Sequence, residues 1–359
     1  MQHDWTVFRR KRVLVTGDTG FKGSWLCLWL HRLGADVVGY GLPPEQPNAH
    51  FNLLKLHRLI HHITGDIRDL KSLSRAAQGH RPEFFFHLAA QPLVKRSYEE
   101  PKLTFDTNVG GSVNVLEVIR STPSLRAAIY VTSDKCYRNR EIPRGYRETD
   151  ELGGIDPYSA SKAAAEMAFG AYFESFLKAR KNFGIASVRA GNVIGGGDWS
   201  ADRIVPDIVR ALRKRDPITL RFPQATRPWQ HVLDPLSGYL QLAARLAGAG
   251  HRFSGSWNFG PDESAIRTVR DLAEAFVSHW GEGRIRIRKG ARRVHEAGLL
   301  QLNSDKAHRL LRWHPRWAFD DAVSRTAEWY KGVLAGRPAS EISQGQIQAF
   351  MEGRDDRRS

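Results

Sequence analysis

Val13-Leu14-Val15-Thr16-Gly17-Asp18-Thr19-Gly20-Phe21-Lys22-Gly23, running into Ser24-Trp25-Leu26-Cys27-Leu28-Trp29-Leu30, decides the fold of this chain. A short β-type run meets glycines spaced G-x-x-G-x-x-G, and an apolar helix-type segment leaves them. A backbone that turns this sharply, with no Cβ where it approaches a ligand and with N–H groups at the positive end of a helix, suits a pyrophosphate. A glycine triplet alone marks only a turn. The strand before it, the helix after it and its place at the start of the chain together point to a dinucleotide cofactor. Gly17, Thr19, Gly20, Phe21, Lys22 and Gly23 are the candidate cofactor contacts in this turn.

Outward from the turn, β-type runs alternate with helical periodicity, the pattern of a parallel sheet covered on both faces. The predicted strands are Val13–Thr16, Asp36–Tyr40, Ile60–Thr64, Phe84–Leu88, Ala127–Ser133 and Gly184–Arg189. The predicted helices are Ser24–Leu33, Leu70–Ala77, Leu103–Arg120 and Pro157–Lys181. The fold class is therefore α/β: a Rossmann-type doubly wound parallel sheet over residues 1–190, with a return segment near 229–258. Gly191–Trp199 is glycine-rich and reads as a loop. Residues 191–335, with helices at Ile204–Arg215, Pro235–Ala247, Thr268–His279 and Asp320–Leu334, are expected to form a smaller mixed α/β substrate-binding lobe. Residues 336–359 read as a polar C-terminal tail with a disordered end.

With 41% hydrophobic and 26% charged residues the composition is that of a globular protein. No apolar run approaches the roughly 18 residues a membrane span needs, and no signal-type segment precedes Val13, so a cytoplasmic location without membrane association is expected. Two cysteines, Cys27 and Cys136, indicate neither a disulfide framework nor a thiolate zinc site. His57 and His61 have helical spacing but no third ligand, so no metal is expected. The net charge of +16 raises nucleic-acid binding on a Rossmann scaffold as an alternative. Lys and Arg are scattered along the chain, however, and the clusters Arg9–Arg12 and Arg284–Arg293 are short, which favours a generally basic surface that attracts small anions.

Chemistry concentrates after the fifth strand. Tyr158 and Lys162 stand four apart behind Asp156-Pro157, which cap and start a helix, so phenol and ammonium share one helical face. A nearby cation favours phenolate, making Tyr158 an acid/base for a sugar hydroxyl. Tyr98 and Lys102 have the same spacing, but Pro101 interrupts them. Thr132, at the carboxyl end of the fifth strand where ligand chemistry sits in such sheets, adds a hydroxyl to phenol and lysine.

These residues make the chain resemble the extended short-chain dehydrogenase/reductase family over roughly Arg12 to Tyr330. Within that family Thr132-Ser133-Asp134-Lys135-Cys136-Tyr137, Gly20–Trp25, Arg189–Trp199, Arg227–Val232 and Trp257–Pro261 are similar to stretches of sugar-nucleotide 4,6-dehydratases. Asp134-Lys135 stands where the dTDP-glucose enzymes have Asp-Glu, and the resemblance implies CDP-glucose as substrate. It also implies Tyr158 as the C4 hydroxyl base, Asp134 as the acid for the C6 oxygen, Lys135 as the C5 base and a homodimer joined through Leu103–Arg120 and Pro157–Lys181. Another nucleotide-sugar epimerase or dehydratase is the nearest alternative. Lys135, from a reference near 10.4, needs roughly 4 kcal/mol of destabilisation of its charged form to act as a base near pH 7.5; if it stays charged it can stabilise an enolate.

The ligand contacts follow from the same pattern. The second strand ends in Tyr40-Gly41-Leu42-Pro43-Pro44, with neither an acid for a ribose diol nor a base for a 2′-phosphate; NAD is favoured over NADP without excluding it. Asp66-Ile67 closes the third strand, where the carboxylate is a candidate acceptor for adenine, and Leu88-Ala89-Ala90-Gln91 closes the fourth with small residues. For the sugar nucleotide the candidates are Asn192, Arg203 and Arg227 on phosphate, with Trp199 and Trp229 stacking on the base. The resemblance marks Arg227 as a phosphate contact. Cys136 reads as packing.

Overall fold

The computed structural model describes residues 5–288 and 299–353. Seven strands form one parallel sheet. Six are β1 (Arg12–Thr16), β2 (Asp36–Gly41), β3 (His61–Thr64), β4 (Phe84–His87), β5 (Ala127–Val131) and β6 (Gly184–Ala190). The seventh, Gly255–Phe259, returns from the second half of the chain and pairs with β6. The order across the sheet is this seventh strand, β6, β5, β4, β1, β2, β3. Valine, isoleucine and phenylalanine fill the strands because both faces are covered, as burial throughout β4 shows.

Alternate strand residues serve opposite faces. Val13, Val15, Phe84, Phe86 and Ile129 pack with helix α1 (Phe21–Arg32) and the Leu233–Ala249 helix in one core. Leu14, Phe85, Ala128 and Tyr130 pack under the Leu70–His80, Ser112–Ser121 and Pro157–Tyr172 helices in the other. The sheet is thus doubly wound.

Three expectations change. Leu103–Arg120 is not one helix: Pro101–Phe105 leads into a π-helical turn, Asp106–Gly111, before Ser112–Ser121. The wide turn brings Asn108 inward, where it is fully buried. The glycine-rich stretch is a loop apart from a two-residue strand, but it is buried where a loop would normally be exposed. Val193–Ile194 pairs with Gln230–His231, and Ile194–Trp199 is buried. Its glycines are needed by packing, since a Cβ at Gly196 would sit 2.0 Å from the Trp329 ring and one at Gly197 2.6 Å from His50. Finally, the polar tail contains a helix, Ala339–Glu352, whose Ile342, Ile347 and Phe350 are buried against the sheet's α1 side. Spaced apolar residues in a polar sequence suffice to bury one stripe. The expected disordered end, 354–359, and part of the Arg284–Arg293 cluster lie outside the described residues.

Candidate active site

The strand period sets which hydroxyl meets the Tyr158 phenol. Tyr130 and Thr132 point to the face covered by the Pro157–Tyr172 helix. Tyr130 donates to the Ala165 carbonyl at 3.4 Å, and Thr132 donates to the Glu166 carboxylate. Ser187 at 2.9 Å and Arg189 at 2.9 and 2.7 Å also donate to Glu166. This ion pair is almost wholly buried, and its carboxylate is fully engaged. Thr132 therefore anchors the end of β5. The expectation that it completes the hydroxyl–phenol–lysine set is corrected: with Thr132 turned to Glu166, the hydroxyl that eases the rise of the Tyr158 phenol is that of Ser133, the next residue. Its hydroxyl also donates to Asp134 Oδ1 at 2.9 Å and accepts from the Lys135 N–H at 3.2 Å. The period-2 rule applied from Tyr130 would have found it.

The Pro157–Tyr172 helix begins as its sequence demands. Asp156 accepts from the Ser159 N–H at 2.9 Å and from its hydroxyl at 2.6 Å. Tyr158 and Lys162 are both buried on this helix. Burial pushes the Tyr158 phenol up to about 12, eased by the Ser133 hydroxyl and by Arg203. Burial brings the Lys162 ammonium down to about 8, with Cys136 and Glu166 pulling the other way. Asn108, not singled out in the sequence, donates to Ser161 Oγ at 2.9 Å, and Ser161 donates to the Tyr158 carbonyl at 2.7 Å. The π-turn thus fixes the start of the Pro157–Tyr172 helix.

Asp134 is buried beside Gly191, where a Cβ would come within 3.1 Å of its Oδ2. Burial raises its carboxyl, opposed by Lys135, the Ser133 hydroxyl and Lys22. Lys135 is half-buried next to it. Lys22, from the glycine turn, is lowered to about 8 by burial and by Arg203, with Asp134 opposing and Lys162 adding. Arg203 in turn donates to Asp198 at 2.8 Å. Lys22 thus stands within electrostatic range of Arg203, Lys162 and Asp134, and Tyr158 within range of Asp134 and Arg203.

The glycine turn fits a dinucleotide. Gly17 has φ +76°, and a Cβ there would meet Ala89 N at 2.6 Å. A Cβ at Gly23 would meet the Gly17 carbonyl oxygen at 2.0 Å. α1 begins at Gly20 without a side-chain cap, so the Phe21 and Lys22 end of the helix offers its N–H groups to an anion. Thr19 donates to the Leu42 carbonyl at 2.8 Å, tying the turn to the end of β2. Leu88, Ala89 and Ala90 follow β4 beside Gly17, half-buried. Gln91 is held inside by Asn108 and Thr104, at 2.8 and 2.9 Å. Asp66 does close β3 before the buried Ile67, but both of its oxygens are engaged by Arg68, which holds the carboxyl below the usual range.

Of the substrate candidates, Asn192 lies half-buried after Gly191, its carbonyl accepting from the Gln230 N–H at 3.1 Å. Arg227 is buried in the short strand Thr226–Pro228, donating to the Thr226 carbonyl at 2.7 Å. The tryptophans are corrected. Trp199 stacks edge-on against Tyr330 at 5.1 Å, and Trp229 donates to the Arg267 carbonyl at 3.1 Å. Both belong to the core and are 8% and 3% exposed, leaving no free face for a base.

The family model described as GDP-mannose 4,6 dehydratase matches residues 14–326. A CDP-glucose 4,6-dehydratase of Salmonella typhimurium is 44% identical over 352 residues, covering 97% of this chain and 98% of the relative. A dTDP-glucose 4,6-dehydratase of Xanthomonas campestris is 25% identical over 348 residues, with 90% and 96% coverage. Among solved structures, a Thermus thermophilus UDP-glucose 4-epimerase in complex with NAD aligns with TM-score 0.75 at 25% identity, covering 89% of this chain and 99% of that one. A dTDP-glucose 4,6-dehydratase of Streptomyces venezuelae aligns with TM-score 0.77 at 24% identity, with 92% and 99% coverage, and shares the fold.

Proposed function

The chain belongs to the GDP-mannose 4,6-dehydratase family, and we propose that it is an NAD-dependent hydro-lyase converting CDP-D-glucose to CDP-4-dehydro-6-deoxy-D-glucose and water. The observation that carries this reading is the 44% identity over nearly the whole of both chains to a CDP-glucose 4,6-dehydratase. The product is an intermediate suited to deoxysugar and surface-polysaccharide biosynthesis.

Within this reading Tyr158, positioned by Ser133, takes the proton of the C4 hydroxyl, and Lys162 stabilises the phenolate that must form. NAD held at the glycine turn would supply the hydride acceptor for C4 and the hydride donor for C6. The C4 ketone acidifies the C5–H. Lys135 removes that proton while Asp134 protonates the oxygen leaving C6, and Lys135 gives the proton back to C5 when C6 is reduced. The raised carboxyl of Asp134 supports its role as an acid. Arg227, Arg203 and Asn192 hold the diphosphate, where a guanidinium fork serves better than an ammonium.

We also assign the chain to the cytoplasm, where its cofactor and sugar nucleotide are made, and to a homodimer. Exposed Phe105, Met167 and Phe176, on or beside the two helical segments expected at the interface, support the dimer. No described helix is long and apolar enough to cross a membrane. The basic charge serves an anionic small molecule, and nucleic acid is not assigned as a partner.

A panel of CDP-, dTDP-, GDP- and UDP-glucose, followed by the alkaline absorbance of 4-keto products, tests the function. Turnover of CDP-glucose is expected. Turnover of another member without it would overturn the substrate assignment.

A further inference from the structure

The end of β2, over which this fold lays the adenosine ribose of its cofactor, carries no charged side chain of its own: the residues there are Tyr40, Gly41 and Leu42. A carboxylate is nevertheless delivered to it. Asp18, in the glycine turn after β1, is fully buried against this strand. A Cβ at Gly39 would lie 2.0 Å from its Oδ2, and one at Gly41 2.8 Å from its Oδ1. Two glycines on one strand face thus leave room for a single carboxylate from the neighbouring turn.

The two oxygens of Asp18 are in different situations. Oδ2 lies 2.7 Å from His62 Nδ1, on the β3 residue paired with Gly39. The other ring nitrogen of His62 lies 3.2 Å from Thr64 Oγ1, so the imidazole is held from both sides. Oδ1, the oxygen facing the last residue of β2, is buried with no hydrogen-bond partner. The Thr19 hydroxyl beside Gly41 does not satisfy it, because that hydroxyl donates to the Leu42 carbonyl at 2.8 Å. A buried carboxylate oxygen without a donor is costly, and a ligand that brings one relieves the cost.

We propose that Asp18 determines cofactor selectivity: its Oδ1 accepts the 2′-hydroxyl of the adenosine ribose of NAD, and its charge rejects the 2′-phosphate of NADP. This rests on the assignment of a nicotinamide dinucleotide to the glycine turn. The usual logic, in which the last residue of the second strand reads the ribose, is kept in charge but moved in sequence. His62 is a positioning residue that fixes the carboxylate with one oxygen facing β2.

The test is direct binding to the full-length protein, by titration calorimetry after bound dinucleotide has been exchanged out, with NAD, NADP and 2′-deoxy-NAD as probes. The parent is expected to bind NAD at least about tenfold more tightly than either of the other two. Asp18→Asn, shown by circular dichroism to be folded, is expected to narrow the NAD-to-NADP ratio by about tenfold or more. An unchanged ratio in the folded variant overturns the proposal, and so does parent protein that binds 2′-deoxy-NAD as tightly as NAD. The second measurement decides if Asp18→Asn does not fold. Parent protein that binds no dinucleotide at all overturns the cofactor assignment and the proposal with it.

Discussion

Replacing Thr132 by Val and Ser133 by Ala, separately, distinguishes an anchoring hydroxyl from a chemical one. Thr132 is one of four side chains donating to the buried Glu166 carboxylate, beside Ser187, Arg189 and Ser256. Valine keeps its shape and removes one hydrogen bond to a charged group, a loss of about 1.5–3 kcal/mol. Ser187 and both Arg189 nitrogens stay in place, so the fold survives and the catalytic groups keep their positions; kcat is expected within about threefold of the parent. Ser133→Ala acts on kcat instead. It removes the hydroxyl that donates to Asp134 and eases the rise of the Tyr158 phenol, while leaving the ion pair untouched. Stability is expected to fall by about 1–3 kcal/mol, because the buried Asp134 carboxyl loses a donor, and kcat to fall on the order of 10²-fold, about 2.7 kcal/mol of barrier. Urea unfolding read by tryptophan fluorescence gives the first quantity and initial rates of 4-keto product the second. If Thr132→Val loses 10²-fold in kcat at parent stability while Ser133→Ala is active, the reasoning from strand period is refuted and Thr132 regains the role.

Lys135→Ala is expected to abolish deuterium exchange at C5 in heavy water; exchange at the parent rate would remove Lys135 as the C5 base. Arg227→Lys is expected to raise the KM for CDP-glucose about tenfold or more with a smaller effect on kcat, because one ammonium replaces a planar fork on the diphosphate; an unchanged KM would remove Arg227 from the phosphate site. Asp234 is buried and its carboxyl is pushed up to about 7, so the parent holds a proton in the folded state that the unfolded chain has released above about pH 4, and that share of stability is lost as pH rises to 7. From pH 5 to pH 8 the stability of Asp234→Asn relative to the parent should therefore improve by about 3 kcal/mol in urea melts, and a pH-independent difference would contradict the raised carboxyl. Met167→Glu with Phe176→Glu should convert a dimer to monomer in sedimentation velocity, whereas an unchanged sedimentation coefficient would place the interface elsewhere.

How much was legible in the sequence depended on whether one segment or several had to be known. The parallel sheet could be read because each strand announces itself within five or six residues, and the glycine turn because its conformation is written in Gly17, Gly20 and Gly23. Tyr158 and Lys162 were legible for the same reason, since a cap, a proline and a four-residue spacing are local. What failed was context supplied from far along the chain. Trp199 and Trp229 look like stacking residues in isolation, but Tyr330 and the Arg267 carbonyl cover them. Glycines 195–197 do form a loop, but its burial under Trp329 and His50 was not written locally. Thr132 was a different kind of miss. The strand period was available, but the adjacent hydroxyls of Thr132 and Ser133 are separated only by which face each takes.

The cluster around Asp134 also explains why binding and chemistry should be coupled in this site. Lys22 stands within the field of both Lys162 and Arg203, and the two ammonium groups are lowered to about 8. Asp134 lies among them with its carboxyl raised by burial and pulled down by Lys135 and Lys22. A sugar nucleotide brings a diphosphate, and negative charge entering such a cluster favours the charged form of Lys22 and Lys162 and the protonated form of the carboxyl. For these groups those are the states the proposed reaction requires, an ammonium beside the phenolate and an acid for the oxygen that leaves C6, while the same field opposes the neutral Lys135 that the C5 step needs. An epimerase needs only the first. The second fits an aspartate placed after β5, its carboxyl raised by burial, and within the field of Lys22, so that the occupancy of the ligand site bears on its proton affinity.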